Sequence, residues 1–267
     1  DLLMKNMIFD THAHYDDAAF DEDRDELLSS FVENNIGCVI DVASDAASIE
    51  KVTKIAHEYP FIYEAVGIHP DEIYGITEEL LKRITALCKD EKTVAVGEIG
   101  LDYYRIKENR KEQIYWFERF ADLAKTEKLP IIIHSREAAE DTLDTIKRIK
   151  PGDTGAAMHC YSYSKEMAKQ LLDMGLYFGI GGVATFKNAR KLIETIEYIP
   201  MSSILLETDC PYLAPVPFRG KRNSSLYIPY VVKKIAQIKN ISEEDVMGIT
   251  FDNALRLFKK IAFNPCD

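Results

Sequence analysis

Nowhere in the 267-residue chain do eighteen consecutive apolar residues occur, and its start lacks a basic segment followed by an apolar one. Neither a membrane-spanning helix nor a secretory leader is therefore expected, and the protein reads as cytoplasmic. Cysteine is scarce: Cys38, Cys88, Cys160, Cys210 and Cys266 are odd in number, scattered and without a Cys-x-x-Cys pair. That pattern argues against a disulfide framework and against a structural zinc knuckle. Cys160 and Cys210 each follow a candidate site residue and are read as small strand-end residues facing away from it. Gly/Ser/Pro-rich linkers and low-complexity stretches are lacking too, so one domain over residues 7–263 is expected, with residues 1–6 an N-terminal extension or expression remnant. Positive charge is in deficit, 33 Lys and Arg against 44 Asp and Glu, for a net charge of −11. That balance argues against a broad basic face that grips long duplex nucleic acid, and no obligate protein partner is evident. A phosphate substrate is not excluded, because bound divalent cations can be the largest local charges in a site.

What the chain does contain is a regular alternation. At 46% hydrophobic it can bury a substantial core. Eight apolar runs recur at the spacing of a strand–helix unit: 7–10, 36–43, 61–68, 93–99, 130–134, 155–159, 176–180 and 203–209. Between them lie segments of helical periodicity with start signals at Asp45, Thr77, Ser135, Ser164 and Ser242, and a stop at Gly175. Ile49, Val52, Ile55 and Ala56 make one apolar stripe, and Ile114, Phe117, Phe120, Ala121 and Ala124 another, within a long helix over 109–128. The pattern predicts an α/β fold, a TIM-like (β/α)8 barrel, with an open doubly wound sheet as its rival. The barrel is preferred because the chemistry-bearing residues fall at the C-terminal ends of many different strands, where a barrel gathers its site.

Those residues are mostly histidines. There are only six, and five stand at strand ends: His12 and His14 on the first, His69 on the third, His134 on the fifth and His159 on the sixth. His57, near a helix C-terminus, is read as solvated or facing the helix dipole. Glu98 ends the fourth strand, and Glu207 and Asp209 the eighth. Four imidazoles and two carboxylates exceed what one tetrahedral ion uses, and two divalent ions about 3.5 to 4 Å apart would use them all. His12, His14, Glu98 and Asp209 are assigned to one ion and Glu98, His134 and His159 to the other, with Glu98 as the bridge. Imidazole-rich sites suit Zn, Mn, Co or Ni better than Mg, and the ion's identity stays open.

Phe9-Asp10-Thr11-His12-Ala13-His14, Val66-Gly67-Ile68-His69-Pro70, Gly97-Glu98-Ile99-Gly100-Leu101-Asp102-Tyr103-Tyr104, His134-Ser135-Arg136, His159-Cys160-Tyr161-Ser162, Glu207-Thr208-Asp209-Cys210-Pro211 and Arg219-Gly220-Lys221-Arg222-Asn223 run through nearly the whole chain. In that order they resemble the motifs of the TatD family, metal-dependent deoxyribonucleases of the amidohydrolase-like barrel superfamily. The resemblance implies a TIM-like barrel, two divalent metals and hydrolysis of phosphodiester bonds with DNA as substrate, and the ligand set it implies agrees with the one assigned above. Other binuclear members of the superfamily commonly bridge their metals with a modified lysine where this chain has Glu98. Three positions depart from the family pattern and bear on substrate choice: Tyr163 where Gly is usual, Phe218 where His is frequent, and Ser225 where Pro is common.

Asp209 is expected to take the proton of a metal-activated water, with Glu98 as catalytic bridge. His69, Arg136, Glu207 and Arg219 are expected at the substrate, Glu207 alternatively orienting a ligand or the water. Lys221 and Arg222 either clamp phosphate or stay solvated, and Tyr103 and Tyr104 either stack a base or pack. Two rivals remain: an ester or amide hydrolase on the same scaffold, for example an aminoacyl-tRNA deacylase, and a metal-stabilised binding scaffold with a closed site.

Overall fold

Each apolar run becomes a strand because its residues are buried on both faces, one toward the covering helices and one toward a barrel interior. The computed structural model describes residues 6–105 and 107–263. Cys266 and nearly all of the expected extension at residues 1–6 lie outside the described residues. The strands are β1 (Ile8–Ala13), β2 (Ile36–Val42), β3 (Ile62–Val66), β4 (Thr93–Asp102), β5 (Ile131–Arg136), β6 (Ala156–Met158), β7 (Tyr177–Ile180) and β8 (Ile204–Leu206). They pair in parallel in chain order in one eight-stranded sheet. The seam between β1 and β8 closes just beyond β8: Asp209 N–H donates to His12 O at 2.8 Å, His14 N–H to Cys210 O at 2.9 Å, and Ala13 bridges Cys210. A TIM-like (β/α)8 barrel results, as the run spacing predicts.

Around it lie α1 (Arg24–Ser29), α2 (Ala46–Glu58), α3 (Glu78–Leu87), α4 (Arg110–Glu127), α5 (Ala139–Ile149), α6 (Lys165–Asp173), α7 (Arg190–Tyr198), α8 (Ile228–Lys239) and α9 (Glu243–Leu257). Their starts follow the capping chemistry in the sequence. Asp45 and Ser48 form a reciprocal capping box on α2, and Thr77, Ser164 and Ser242 accept from Leu80, Met167 and Asp245 N–H. Gly175 takes φ +77° just past α6, where an L side chain would be strained. Ser135 is the exception. It lies inside β5, paired with Leu101 of β4, and its hydroxyl bonds Thr142 and Tyr163, so sheet pairing overrides its capping propensity and α5 starts at Ala139.

Alternating strand residues divide the core. Phe9, Cys38, Ile40, Ala65, Ile132, Ala157 and Leu205 fill the barrel interior, while Ile8, Val39, Val66, Ile131, Ile133 and Leu206 meet the helices. Phe251 of α9 and Phe258, just past its end, plug the interior against Phe9, at ring separations of 5.4 and 6.2 Å. Asn253 of α9 donates to Met201 O and Ile204 O at 2.7 and 2.8 Å, anchoring the helix at the start of β8. With the N-terminal end sealed by hydrocarbon, the histidines and carboxylates at the strand ends are left to the opposite mouth. No helix of the described residues is long and apolar enough to cross a membrane.

Candidate metal centre

His12 and His14 stand two residues apart on one strand end, so both rings turn the same way and their Nε2 atoms come within 3.2 Å. His14 Nδ1 donates to Val42 O at 2.8 Å, which turns its Nε2 toward His12 as the nitrogen that would bind a cation once its proton leaves. His12 is buried, and its Nδ1 has no hydrogen-bond partner among the described residues. Converging imidazole lone pairs beside buried carboxylates are the donor set a divalent cation takes, so the residues present fit such an ion.

Glu98, 3% exposed, sits between the two sets of histidines. One oxygen, Oε2, lies 3.5 Å from His12 Nε2 and 3.8 Å from His14 Nε2. The other, Oε1, lies 2.7 Å from His134 Nδ1 and 3.7 Å from His159 Nε2. Asp209 Oδ1 reaches His14, His159 and His12 at 3.3, 3.7 and 3.8 Å. The backbone of Asp209 takes φ +56°, a left-handed turn that Asp tolerates better than most residues and that aims the carboxylate back over the mouth. Three groups can hold a cation on ligand-atom spacing: His12, His14 and Asp209; His12, Glu98 and His159; and His69, Asp102 and His134. The six residues assigned from the sequence thus come together in one cluster, but these groups divide them differently: His159 falls with His12 and Glu98, and His134 falls with His69 and Asp102, two residues outside the assigned ligand set.

Two of the outer ring nitrogens have carboxylate partners. His159 Nδ1 faces the two Glu207 oxygens at 3.2 and 3.3 Å, and His134 Nε2 faces Asp102 Oδ2 at 2.9 Å. Such carboxylate–imidazole pairs orient a ligand and raise its basicity. Glu207 also accepts from Cys160 N–H at 2.7 Å, and it is packed so closely on β7 that a Cβ at Gly179 would lie 2.0 Å from its Oε2. Asp10, fully buried behind the site, accepts from Thr208 N–H and Oγ, Ser225 Oγ and His12 N–H, and burial nevertheless pushes its carboxyl up to about 7.

Burial alone would favour neutral rings, but the carboxylates outweigh it at three of them. Asp209 and Glu98 push His14 up to about 10, Glu98 and Asp102 push His134 up to about 9, and Glu207, Asp209 and Glu98 push His159 up to about 9. Burial and His159 hold His12 below its usual range, and burial and His134 push His69 down to about 3. Despite burial, His12, His134 and His159 hold Glu98 well below the carboxylate range, and His159 and His14 lower Asp209. Without an ion the cluster therefore carries protons where cations would sit.

The cluster forms the floor of an open cavity of about 560 Å³. His69 and Arg136 line it as the sequence placed them. His69 Nδ1 accepts Asp71 N–H at 3.1 Å, and the Arg136 guanidinium lies 3.8 Å over the Tyr104 ring. Two residues expected at the substrate lie outside the cavity wall, and Glu207 has the contacts of its alternative role, orienting a ligand. Glu207 is 2% exposed and turned to His159, outside the cavity wall, because its carboxylate is drawn to the Nδ1–H and the Cys160 amide. Arg219 is exposed on the loop after β8, over the Phe186 ring at 4.4 Å and likewise outside the wall. Arg222 is taken up by Asp23 in a two-pronged pair at 2.6 Å. Cys160 lines the cavity instead of facing away, because φ +45° at this residue reverses the strand alternation, whereas Cys210 is buried. His57 lies apart, in the last turn of α2 beside Asp90.

Asp102, Asp16, Asp17, Asp71 and Glu72 were not picked out from the sequence. Asp102 had a signal, since it lies four residues past Glu98 on the same strand and therefore on the same face. The others are loop residues whose convergence depends on tertiary contacts. The three departures each have a contact. Tyr163 OH bonds Ser135 and accepts Ala138 N–H, Ser225 joins Asp10 to Tyr15, and Phe218 stacks on Tyr227 at 4.2 Å.

A family model described as TatD related DNase matches residues 9–259. The Bacillus subtilis protein named uncharacterized metal-dependent hydrolase YabD is 41% identical over 95% of this chain and 99% of its own. The Escherichia coli K12 uncharacterized metal-dependent hydrolase YcfH is 32% identical over 94% and 95%. Among solved structures, the TatD homolog YJJV from Escherichia coli K12 superposes with a TM-score of 0.89 at 28% identity, covering 96% of this chain and 99% of that one.

Proposed function

The chain belongs to the TatD related DNase family and is a metal-dependent hydrolase, and from that premise we propose that the bond it cleaves is the phosphodiester of DNA, at a binuclear centre bridged by Glu98. The observation that carries the reading is the division of the Glu98 carboxylate, with Oε2 toward His12 and His14 and Oε1 toward His134 and His159. Divalent ions held there, Zn, Mn or Mg, supply Lewis acidity and lower the pKa of water. Four imidazoles favour Zn or Mn.

The chain's own residues have defined tasks in this reading. Asp209, on the cavity wall and kept ionised by His14 and His159, accepts the proton of the attacking water. His69 is neutral, and because its Nδ1 already accepts Asp71 N–H, the ring proton sits on Nε2 and is available to a phosphate or leaving-group oxygen. Arg136 stands at the end of β5 with its charge over Tyr104, placed to take a second phosphate oxygen, whereas Arg105 on the same wall is tied to Asp71 at 3.1 Å.

The test is hydrolysis of labelled single- and double-stranded DNA by metal-stripped protein, restored in turn with Mg²⁺, Mn²⁺ or Zn²⁺. Cleavage that requires metal and disappears in Glu98→Ala and Asp209→Ala supports the reading, and cleavage retained in Glu98→Ala removes the bridge. A second reading has one observation of its own: Asp16, Asp17, Asp71 and Glu72 line the cavity, a wall that suits the ammonium group of an aminoacyl ester. Metal-dependent release of amino acid from aminoacyl-tRNA, with DNA left intact, would select that ester-hydrolase reading.

A further inference from the structure

We propose that the loops after β7 and β8 form a second nucleotide-binding ledge, built on Phe186, Phe218, Arg219 and Lys221, that holds the DNA strand flanking the bond at the metal centre. The ledge rests on the phosphodiesterase reading and adds a site outside the cavity.

Charge is the first ground. Residues 181–191 and 211–230 contain Lys187, Arg190, Lys191, Arg219, Lys221 and Arg222 and not one Asp or Glu, in a chain with 44 acidic residues and a net charge of −11. Across the barrel, the segment after β3 puts Asp71 and Glu72 on the cavity wall, while Asp16 and Asp17, after β1, border the ledge, Asp17 accepting from Tyr212 OH at 2.9 Å. A polyanion at the site is repelled by both acidic stretches and favoured over residues 181–191 and 211–230.

Geometry is the second ground. The two loops are one body: a Cβ at Gly182 would lie 2.1 Å from Leu213 O, so the backbones touch, and Val216 N–H donates to Thr185 Oγ at 2.9 Å. Val183 and Leu213, one from each loop, line the cavity, so the ledge is continuous with it. On its surface Arg219 lies over Phe186 at 4.4 Å, and Phe218 stacks on Tyr227 at 4.2 Å and 4° with Tyr230 edge-on at 5.1 Å. Lys221 lies 6.0 Å from the Phe218 ring centre. Arg222 is paired with Asp23, and Arg190 with Glu194 at 3.1 Å, so neither takes part. Exposed guanidinium and ammonium groups interleaved with aromatic rings are what unpaired nucleotides take, the cations tracking phosphates and the planar groups stacking bases. Phe218 belongs to this surface.

Binding measured apart from cleavage tests the ledge. A fluorescein-labelled single-stranded 12-mer is titrated with the protein in EDTA, over a range of salt concentrations, and followed by anisotropy. Arg219→Ala/Lys221→Ala should lower the affinity about tenfold or more and flatten the salt slope by about 1.4, two phosphates at about 0.7 each. A control pair with the same charge change on the outer helices, Lys54→Ala/Lys82→Ala, should leave both unchanged. Unaltered affinity and slope in Arg219→Ala/Lys221→Ala, an equal loss in the control pair, or no binding by the wild-type protein would each overturn the ledge. Binding that depends on Arg219 and Lys221 without metal-dependent cleavage would leave the ledge standing and remove the nuclease reading instead.

Discussion

Replacing Glu207 by Gln asks whether the centre depends on a residue that touches neither the cavity nor, by its position, an ion. Glu207 accepts Cys160 N–H at 2.7 Å and faces His159 Nδ1 at 3.2 and 3.3 Å, which leaves His159 Nε2 turned to Glu98 and Asp209. Gln keeps the shape but offers one acceptor oxygen, so either the amide of Cys160 or the imidazole N–H meets an NH2 group instead. The bond lost is charge-assisted and buried, worth about 1.5–3 kcal/mol to the folded state. Loss of such an outer partner typically costs 10- to 100-fold in metal affinity, or about 1.4–2.8 kcal/mol. Competition with a chromogenic chelator measures the affinity for Zn²⁺ directly, and hydrolysis at saturating metal measures what remains of turnover. We expect weaker metal binding with most of the turnover regained at high metal. Gly179→Ala provides the companion variant, because its new Cβ would sit 2.0 Å from Glu207 Oε2 and must displace the carboxylate without changing any charge. Affinity within about twofold of wild type in both variants would refute the claim that Glu207 orients His159.

Two further outcomes follow from the charge state of the buried groups. At about pH 7.5 the metal-free protein should carry protons on His14, His134 and His159, which stand at about 10, 9 and 9, so Zn²⁺ binding should release up to three protons per chain. Calorimetry in buffers of different ionisation enthalpy counts them, and release of less than one proton would contradict the arrangement. Glu64 is buried between Thr53 and Thr93, and burial raises its carboxyl above the ordinary 4.5 despite those two hydrogen bonds. A raised folded value means that the native state holds this proton more tightly than the unfolded chain does. Stability from this group is therefore full below 4.5 and is lost as pH rises through the folded value. In Glu64→Gln that slope should vanish, so urea midpoints of variant and wild type should diverge in favour of the variant as pH rises from about 5 to 8. A constant difference across that range would show that Glu64 does not titrate as described.

Much of the barrel was readable because its causes are local. Buried parallel strands need continuous apolar runs, and helix starts need a short polar side chain at the cap, so the eight runs and the caps at Asp45, Thr77, Ser164 and Ser242 coincide with the elements observed. Ser135 was misread for the same reason: its local propensity is that of a cap, but pairing of β5 with β4 through Leu101 and Asp102 keeps it in a strand. The histidines at strand ends were readable because a barrel delivers every strand end to one mouth, which is why His12, His14, His134 and His159 meet Glu98 and Asp209.

The sequence by itself determined the alternation of strands and helices and which histidines, with Glu98 and Asp209, stand at strand ends, all properties of neighbours along the chain. Closure into a barrel in place of the rival open sheet rests on the tertiary contacts of His12, Ala13 and His14 with Asp209 and Cys210. Only the tertiary structure decided which way each polar group turns. It set Glu207 behind His159 and Asp102 against His134, and it brought Cys160 into the cavity through a reversed backbone turn. It also carried Arg219 out of the wall onto Phe186. Those choices depend on side chains from different strands and loops competing for one buried donor or one ring face, and no spacing along the chain encodes that competition.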